Sequence, residues 1–330
     1  MTRFFGIFSI RIQLQRVALN ALCVVICVLI LSACKNEHAG APEKAGTMRV
    51  VTTLFPLFDF ARTIAGQSAQ VSLLMPPGVE PHSFEPKPDD IVRISKAGLF
   101  IYTNPVMEPW AEKIILGVDR KGLRVVNAGK GITYQSVAPM DDHDDHDHQH
   151  AGGLDPHIWL DFGDDQLIVD NILAGFVAAD PANAGYYRAN AALLKKQLVE
   201  LDTRYREGLI SCATRDFLHG GHYTFGYLAK RYGLSYRSLS GVSSESEPSA
   251  TRMTAMIRHI KQSGVKYLFA EELLSPRLTE TLATEAGVEV IKLHGGHNLS
   301  RDDFQHGVTF IQLMDSNLTN LKKGLACRTK

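Results

Sequence analysis

Thirteen histidines occur in the chain, and three of them lie in motifs that suggest metal binding. His82 lies in PHSFEPKPDD, His157 in LDPHIWLD and His222 in HYTFGYLAKRYGL, each at a predicted transition from strand to helix. In open α/β sheets, the loops at the carboxyl ends of strands form the ligand crevice, so imidazoles from three such loops can converge there. Taken singly, each could be a hydrogen-bonded structural histidine. Together they match a zinc site with three histidine ligands.

A second group of histidines lies in the low-complexity tract DDHDDHDHQH, residues 141–150. The tract contains five aspartates together with His143, His146, His148 and His150. Imidazole and carboxylate both bind divalent cations, and imidazole suits zinc, copper and nickel. A solvated acidic linker with incidental histidines is the alternative interpretation. The composition favours metal contact, but a low-complexity tract does not preorganise a tight site, so we expect weak and local binding.

Short β-branched and apolar runs alternate with amphipathic segments, which predicts βαβ units and mainly parallel sheets. Strands are predicted over 48–54, 71–75, 99–102, 124–127, 234–238, 267–270 and 288–293. Helices are predicted over 56–65, 87–97, 110–116, 181–209, 251–263, 275–286 and 304–325. The fold class is therefore α/β, with one βα lobe over 48–180 and another over 210–330. The helix over 181–209 would be about 40 Å long, enough to run the height of a two-lobed molecule.

The first 33 residues have the composition of an export signal. Arg3, Arg11 and Arg16 precede an apolar run, residues 21–31, that is short for a membrane span. The sequence LSAC, which ends at Cys34, resembles a bacterial lipobox and implies cleavage before Cys34 and attachment of a lipid to its sulfur. A plain signal peptide or a short anchor is the alternative. Residues 34–47 are predicted to tether an exported protein to the extracytoplasmic side of a membrane.

Cysteine usage agrees with export. Cys23 and Cys27 would leave with the signal and Cys34 would carry lipid, which leaves Cys212 and Cys327. Two thiols in an oxidising compartment can pair. A disulfide between them is predicted to join the C-terminal tail to the start of the second lobe, and two buried thiols are the alternative.

The charge balance argues against nucleic-acid binding. The 330 residues carry 35 Lys+Arg and 35 Asp+Glu. Without residues 1–33, which hold three arginines and no acid, 32 basic and 35 acidic side chains remain. Because this leaves no basic excess to follow a phosphate backbone, no nucleic-acid partner is expected.

The histidine motifs occur together with DPANAGYYRAN at the start of the long helix and SESEPSATRM in the second lobe. In combination they resemble the metal-binding solute-binding lipoproteins of bacterial ABC importers, the zinc and manganese group, over residues 48–325. The resemblance implies two βα lobes joined by one rigid helix, with metal bound in the cleft between them. It also implies Zn²⁺ as cargo, and an ABC permease with its ATPase subunit as partners. The protein is expected to be a monomer and not an enzyme.

The same resemblance implies that His82, His157 and His222 bind the metal. The third ligand is histidine in zinc proteins and glutamate in many manganese proteins, so His222 favours Zn²⁺. Many members have an acidic fourth ligand where this chain has LHGGHN. The fourth donor could be His294 or His297, Glu271 or Glu272, or a water. Asp155 or Asp161 is predicted to orient a ligand imidazole.

The sequence also bears on three other functions. A manganese-binding importer component of the same family is disfavoured by His222. A zinc-dependent hydrolase would need an open metal position and a general base, but the chain has no HExxH motif and no glutamate in an obvious general-base position. Some members of the family are described as surface adhesins, and the sequence alone does not test that function.

Overall fold

The computed structural model describes residues 47–118, 121–137, 153–242, 248–272 and 277–328. The predicted signal peptide (1–33), Cys34 with the tether as far as residue 46, and the tract 141–150 lie outside these ranges. Within the ranges, no helix combines the length and the apolar character needed to span a bilayer.

The first lobe is built on a parallel sheet that has four strands in the described residues. The strands are β1 (Met48–Thr52), β2 (Ala69–Leu73), β3 (Leu99–Tyr102) and β4 (Arg124–Asn127), in the order β2-β1-β3-β4. The inner strand β3, LFIY, is buried throughout, as expected for a parallel sheet covered on both faces. The covering helices are α1 (Phe55–Ala65), α2 (Pro88–Ser95), α3 (Pro109–Gly117) and α4 (Asp164–Ala179), the last of which packs on β3 and β4.

A long helix, α5 (Ala184–Leu209), links the first lobe to the second. The sequence predicts a helix from residue 181, but Pro181–Asn183 form a separate 3-10 turn ahead of α5. The 26 residues of α5 span about 39 Å at 1.5 Å per residue. Its buried face packs on α1 and α4 and on the C-terminal helix of the second lobe. This face consists of Tyr187, Ala191, Leu194, Leu198, Leu201, Tyr205 and Leu209.

The second lobe repeats the design of the first. Strands β5 (Asp216–His219), β6 (Ser235–Ser238), β7 (Tyr267–Glu271) and β8 (Glu289–Leu293) form a parallel sheet in the order β6-β5-β7-β8. Its helices are α6 (Gly226–Tyr232), α7 (Ala250–Ser263), α8 (Arg277–Ala286), α9 (Arg301–Gln305) and α10 (Phe310–Gly324). The predicted α/β class, with two parallel sheets flanked by helices and one long helix, is confirmed.

The structure differs from the sequence prediction at three elements. Helix α4 and strand β5 are not predicted. In α4, Gly175 lies so close to the sheet that an added Cβ would be 2.4 Å from Val126 Cγ2, and a glycine at such a position weakens the helical signal. The helix predicted over 304–325 begins at Phe310 instead, because Gly307, at φ +69°, separates α9 from α10. Thr309 then caps α10 by accepting a hydrogen bond from Gln312 N.

Hydrogen bonds cross between the two lobes at several points. Phe55 N donates to His297 O, and Gly78 N donates to Leu299 O. The side-chain amide of Asn298 donates to the carbonyls that precede and follow the turn at Gly78, at 3.0 and 2.7 Å. By the density of its contacts, Met48–Lys330 forms one compact unit.

Cys212 and Cys327 are joined by a disulfide across a sequence separation of 115 residues. The bridge lies just before β5, at the amino-terminal edge of the second sheet. Backbone hydrogen bonds flank it, from Thr214 N to Leu325 O and from Arg328 N to Ser211 O. The tail after α10 is thereby held against the start of the second lobe.

Candidate metal centre

The three histidines predicted to bind metal all lie in connections that follow strands. His82 lies between β2 and α2, and His157 immediately precedes the 3-10 turn Ile158–Leu160. His222 lies between β5 and α6. His157 and His222 are buried, and His82 is half-buried. The first lobe therefore supplies two imidazoles and the second lobe supplies one.

The three rings converge closely enough to share one ion. One donor nitrogen from each lies within 4.8 Å of the other two. His82 Nε2 is 3.2 Å from His157 Nε2. The ring centroid of His222 lies 5.0 Å from that of His82 and 5.3 Å from that of His157. Nitrogens that share a tetrahedral zinc ion at 2.0–2.1 Å lie about 3.3 Å apart, so the observed spacing suits such an ion.

His297, one of the two candidate histidines for a fourth ligand, faces this cluster. Its ring centroid is 6.3 Å from that of His82, 6.4 Å from that of His157 and 6.1 Å from that of His222. The side chain is buried, and it reaches the cluster from the loop after β8. His297 is therefore a candidate for a fourth ligand, although the group whose donor nitrogens lie within 4.8 Å of one another comprises only the other three histidines among the described residues.

His294, the other candidate, points elsewhere. Its Nδ1 contacts the carboxylate of Glu272, and its backbone N–H donates to the side chain of Asn317 at 2.8 Å. His294 and Glu272 line a surface groove together with Asp303 and His306. The structure therefore separates the two candidates for the fourth position.

Asp155 orients the His157 ring. The Nδ1–H of His157 donates to Asp155 Oδ1 at 2.7 Å, and the backbone N–H of His157 donates to the same oxygen at 3.0 Å. This contact fixes the tautomer and leaves Nε2 facing His82, as in carboxylate–histidine pairs around metals. The second predicted acceptor, Asp161, instead pairs with Arg231 at 2.6 Å.

Glu271 lies beside the cluster rather than among its closest donors. Its Oε2 is 2.7 Å from His222 Nδ1, and its Oε1 is 3.9 Å from His297 Nε2. The Thr224 hydroxyl contacts both the His222 ring, at 2.9 Å, and Glu271 Oε1, at 3.3 Å. The sequence analysis does not single out Thr224, although its spacing of two residues from His222 was available as a signal.

Each of the two glycines before His297 is constrained, Gly295 by lack of space and Gly296 by its backbone conformation. A Cβ at Gly295 would lie 2.6 Å from His297 Cε1 and 2.8 Å from Glu271 Oε1. Gly296 adopts φ +75°, a conformation that favours glycine. The indole N–H of Trp159 donates to Gly295 O at 2.8 Å, which joins this loop to the first lobe. The turn therefore determines which histidine of LHGGHN faces the cluster.

Electrostatics keep most of these rings in the metal-binding form. Burial lowers the pKa of His82, His157 and His297. They are therefore neutral at pH 7. Burial acts in the same direction on His222, but the Glu271 carboxylate outweighs it, so the pKa of His222 is raised. Burial acts to raise the pKa of Glu271, but His222 outweighs this and holds it well below its usual range. His222 and Glu271 thus each favour the charged form of the other.

His219 contacts the backbone of the loop that carries His222. It is fully buried at the end of β5, and its Nδ1 lies 3.0 Å from His222 O and 3.1 Å from the hydroxyl of Tyr236. Burial lowers its pKa to about 4, so the ring is neutral. It is outside the group of three converging histidines.

Two parallel βα lobes, one long connecting helix and converging histidines from both lobes define a two-lobed metal-binding protein. The chain belongs to the family of ZnuA, zinc-uptake complex component A, periplasmic, whose family model matches residues 50–324. The resemblance inferred from the motifs is therefore confirmed.

Individual relatives agree with this assignment. The chain is 34% identical to the high-affinity zinc uptake system protein ZnuA of Bacillus subtilis over 313 residues, which cover 93% of this chain and 97% of that protein. It is 33% identical to the zinc-binding lipoprotein AdcA of Streptococcus pneumoniae R6 over 308 residues, 92% of this chain but only 60% of AdcA. The chain thus spans about 60% of the length of that relative.

Solved structures show the same architecture. The Zn(II)-bound ZnuA-like domain of Streptococcus pneumoniae AdcA superimposes with a TM-score of 0.72 at 31% identity, covering 85% of this chain and 99% of that domain. The laminin-binding adhesin Lmb of Streptococcus agalactiae gives a TM-score of 0.74 at 28% identity, covering 84% of this chain and 99% of that chain.

Proposed function

We propose that this protein captures Zn²⁺ outside the cytoplasmic membrane and delivers it to an ABC permease and its ATPase subunit for import. One observation carries the proposal: imidazoles from both lobes converge, with donor nitrogens within 4.8 Å of one another, in a chain that belongs to a zinc-uptake family. Relatives named for zinc binding and zinc uptake support the choice of cargo.

The proposed ligands are His82, His157, His222 and His297. Four neutral nitrogen donors suit Zn²⁺ better than Mn²⁺, which prefers carboxylate, carbonyl and water oxygens. Manganese is therefore the less favoured cargo. Four protein ligands would also close the tetrahedron and leave no position for an activated water, which argues against a zinc-dependent hydrolase.

The remaining features of the proposal concern residues beyond the cluster. Lipid on Cys34 and the tether to residue 47 would hold a monomer at the membrane surface, and the lobes would span 48–180 and 210–330 around the linking segment 181–209. His143, His146, His148 and His150 would form an auxiliary, weaker metal site. Adhesion stays a second prediction, because a laminin-binding adhesin shares this fold.

The test is a titration of the fragment 35–330 with Zn²⁺ and with Mn²⁺, with and without residues 141–150. We expect one tight zinc site that survives deletion of the tract, weaker additional zinc equivalents that do not, and little manganese binding. Tight manganese binding would overturn the cargo. Loss of all tight zinc binding with the tract would overturn the site.

The fourth ligand can be tested by a matched pair of variants. His297→Ala should weaken zinc binding by at least about tenfold, since even residues outside the ligand set commonly cost 10–100-fold. His294→Ala, in the same loop, should leave zinc affinity within about twofold of the wild type, because its ring contacts Glu272. Affinities are measured by competition with a chelator. The opposite ranking of the two variants would assign the fourth position to His294.

Proton release should accompany zinc binding. The raised pKa of His222 means that zinc must displace its proton, whereas the other three rings are already neutral. Zinc affinity should therefore decrease as the pH is lowered. Below the pKa of His222 the decrease should be about tenfold per pH unit, as expected when one proton is released. Calorimetry in buffers of different ionisation enthalpy measures the number of protons released per zinc ion bound. Glu271→Gln should reduce the release at pH 7, and a slope of three or more protons would contradict the argument.

A further inference from the structure

We infer that Tyr227 and Arg231 form a clamp that holds His157 at the correct distance from His222, although neither residue belongs to the proposed ligand set. The inference rests on the proposed zinc site. Both clamp residues lie on α6, which begins four residues after His222. Their spacing of four residues places them on the same face of the helix. Both make contacts to the segment that carries His157, one on each side of it.

Tyr227 grips the segment before His157. Its hydroxyl donates to Asp155 O at 3.3 Å and accepts a hydrogen bond from Gln135 N at 3.1 Å. The tyrosine is buried, with 1% of its surface exposed, so this contact is shielded from competing water. Because the Asp155 side chain holds His157 Nδ1, the tyrosine positions the residue that orients the ring.

Arg231 grips the segment after His157. Its Nη1 donates to Asp161 Oδ1 at 2.6 Å. Its Nε and Nη2 donate to the two oxygens of Asp202, on α5, at 2.7 and 2.9 Å. Tyr232 adds a hydrogen bond to Asp202 Oδ1 at 2.8 Å. One guanidinium thus joins the second lobe to the linking helix and to the first lobe.

The chemistry of this contact requires arginine. A bidentate pair with Asp202 and a third bond to Asp161 use the fixed fork of the guanidinium, which lysine cannot reproduce. The side chains of Arg231, Asp161 and Asp202 are each 16–19% exposed, so solvent screens the charges only in part. The space is also closely filled, because a Cβ at Gly163 would lie 2.5 Å from Arg231 Nη1.

A buried turn lies between the segment that Tyr227 contacts and the one that Arg231 contacts. Ile158–Leu160 form the buried 3-10 turn that connects His157 to Asp161. Fixing Asp155 on one side and Asp161 on the other therefore fixes His157 itself. Since α6 begins only four residues after His222 and contacts both sides of His157, it sets the separation of the two imidazoles.

The test measures zinc affinity and the visible absorption of the Co²⁺-loaded protein, which reports coordination geometry. The variants are Tyr227→Phe, which removes one oxygen, Arg231→Met and Arg231→Lys. The control is Arg204→Met, which removes a bidentate pair between α5 and Asp315 of α10 that is more exposed. All are made in the full mature chain, and their folding is checked by circular dichroism.

We expect zinc affinity to fall about 10–100-fold in Arg231→Met, with a weaker or shifted Co²⁺ spectrum, and Arg231→Lys not to restore either. Tyr227→Phe should change both in the same direction by a smaller factor. Arg204→Met should match the wild type in both. Folded Tyr227→Phe and Arg231→Lys proteins with wild-type affinity and spectrum would overturn the clamp. A wild-type protein without tight zinc binding would instead overturn the proposed function.

Discussion

Zinc affinity should fall by at least about 100-fold when His157 is replaced with alanine, beyond the 10–100-fold typical of residues outside the ligand set. His157 is fully buried, its Nδ1 is held by Asp155, and its Nε2 faces His82 at 3.2 Å. Alanine leaves the ion one nitrogen ligand short, and a water in that place would lack the orientation that Asp155 gives the ring. Chelator competition on the purified variant measures the loss.

The matched control for this variant is His306→Ala. The His306 side chain is 71% exposed on the surface after α9, so its loss should leave the tight site unchanged. His82→Ala and His222→Ala should resemble His157→Ala. Near wild-type zinc affinity in all three ligand variants, His82→Ala, His157→Ala and His222→Ala, would refute the assignment of the metal centre.

Removing the disulfide with the double substitution Cys212→Ser and Cys327→Ser should destabilise the protein by about 2–5 kcal/mol. The bridge closes a long loop, since its ends are separated by 115 positions in sequence, and so restricts the unfolded chain strongly. For a protein of this size, each kcal/mol lowers Tm by about 2–4 °C. Thermal unfolding followed by circular dichroism measures the change.

Zinc affinity should hardly change in the same double variant, because the bridge lies at the amino-terminal edge of the second sheet and the metal centre at the carboxyl edge. Reduced wild-type protein is the control, and its melting temperature should equal that of the variant. Equal melting temperatures for the oxidised wild type and the variant would show that the bridge does not contribute to stability.

Most of the fold could be predicted because its physical signals are local. Alternating apolar and amphipathic segments predict parallel βα units, and the long run from Pro181 to Leu209 predicts the linking helix. Helix α4, which the sequence did not predict, contains Gly175. This glycine allows close packing against the sheet, a tertiary contact that the local sequence does not reveal. The break at Gly307 was equally hidden, because the apolar spacing continues across it from α9 into α10.

The candidate site could be predicted only to the level of three loops. His82, His157 and His222 follow from their motifs, but the choice between His294 and His297 depends on a turn. Gly295 lies where a side chain has no space and Gly296 adopts a positive φ, and the two rings on either side of them point in different directions. That outcome depends on the neighbouring Glu271 and Trp159, which are distant in sequence.

The hydrogen bonds that cross between the lobes also bear on how an ion enters and leaves. A wide hinge opening would have to break the bonds from Phe55, Gly78, Asn298 and Trp159 together, and it would expose the buried face of α5. The connection between β2 and α2 that carries the half-buried His82 is itself held to the second lobe by the bonds of Gly78 and Asn298. If only the part of this connection around His82 moved while those bonds stayed in place, the loaded and empty molecules would have nearly the same outline for a partner to recognise.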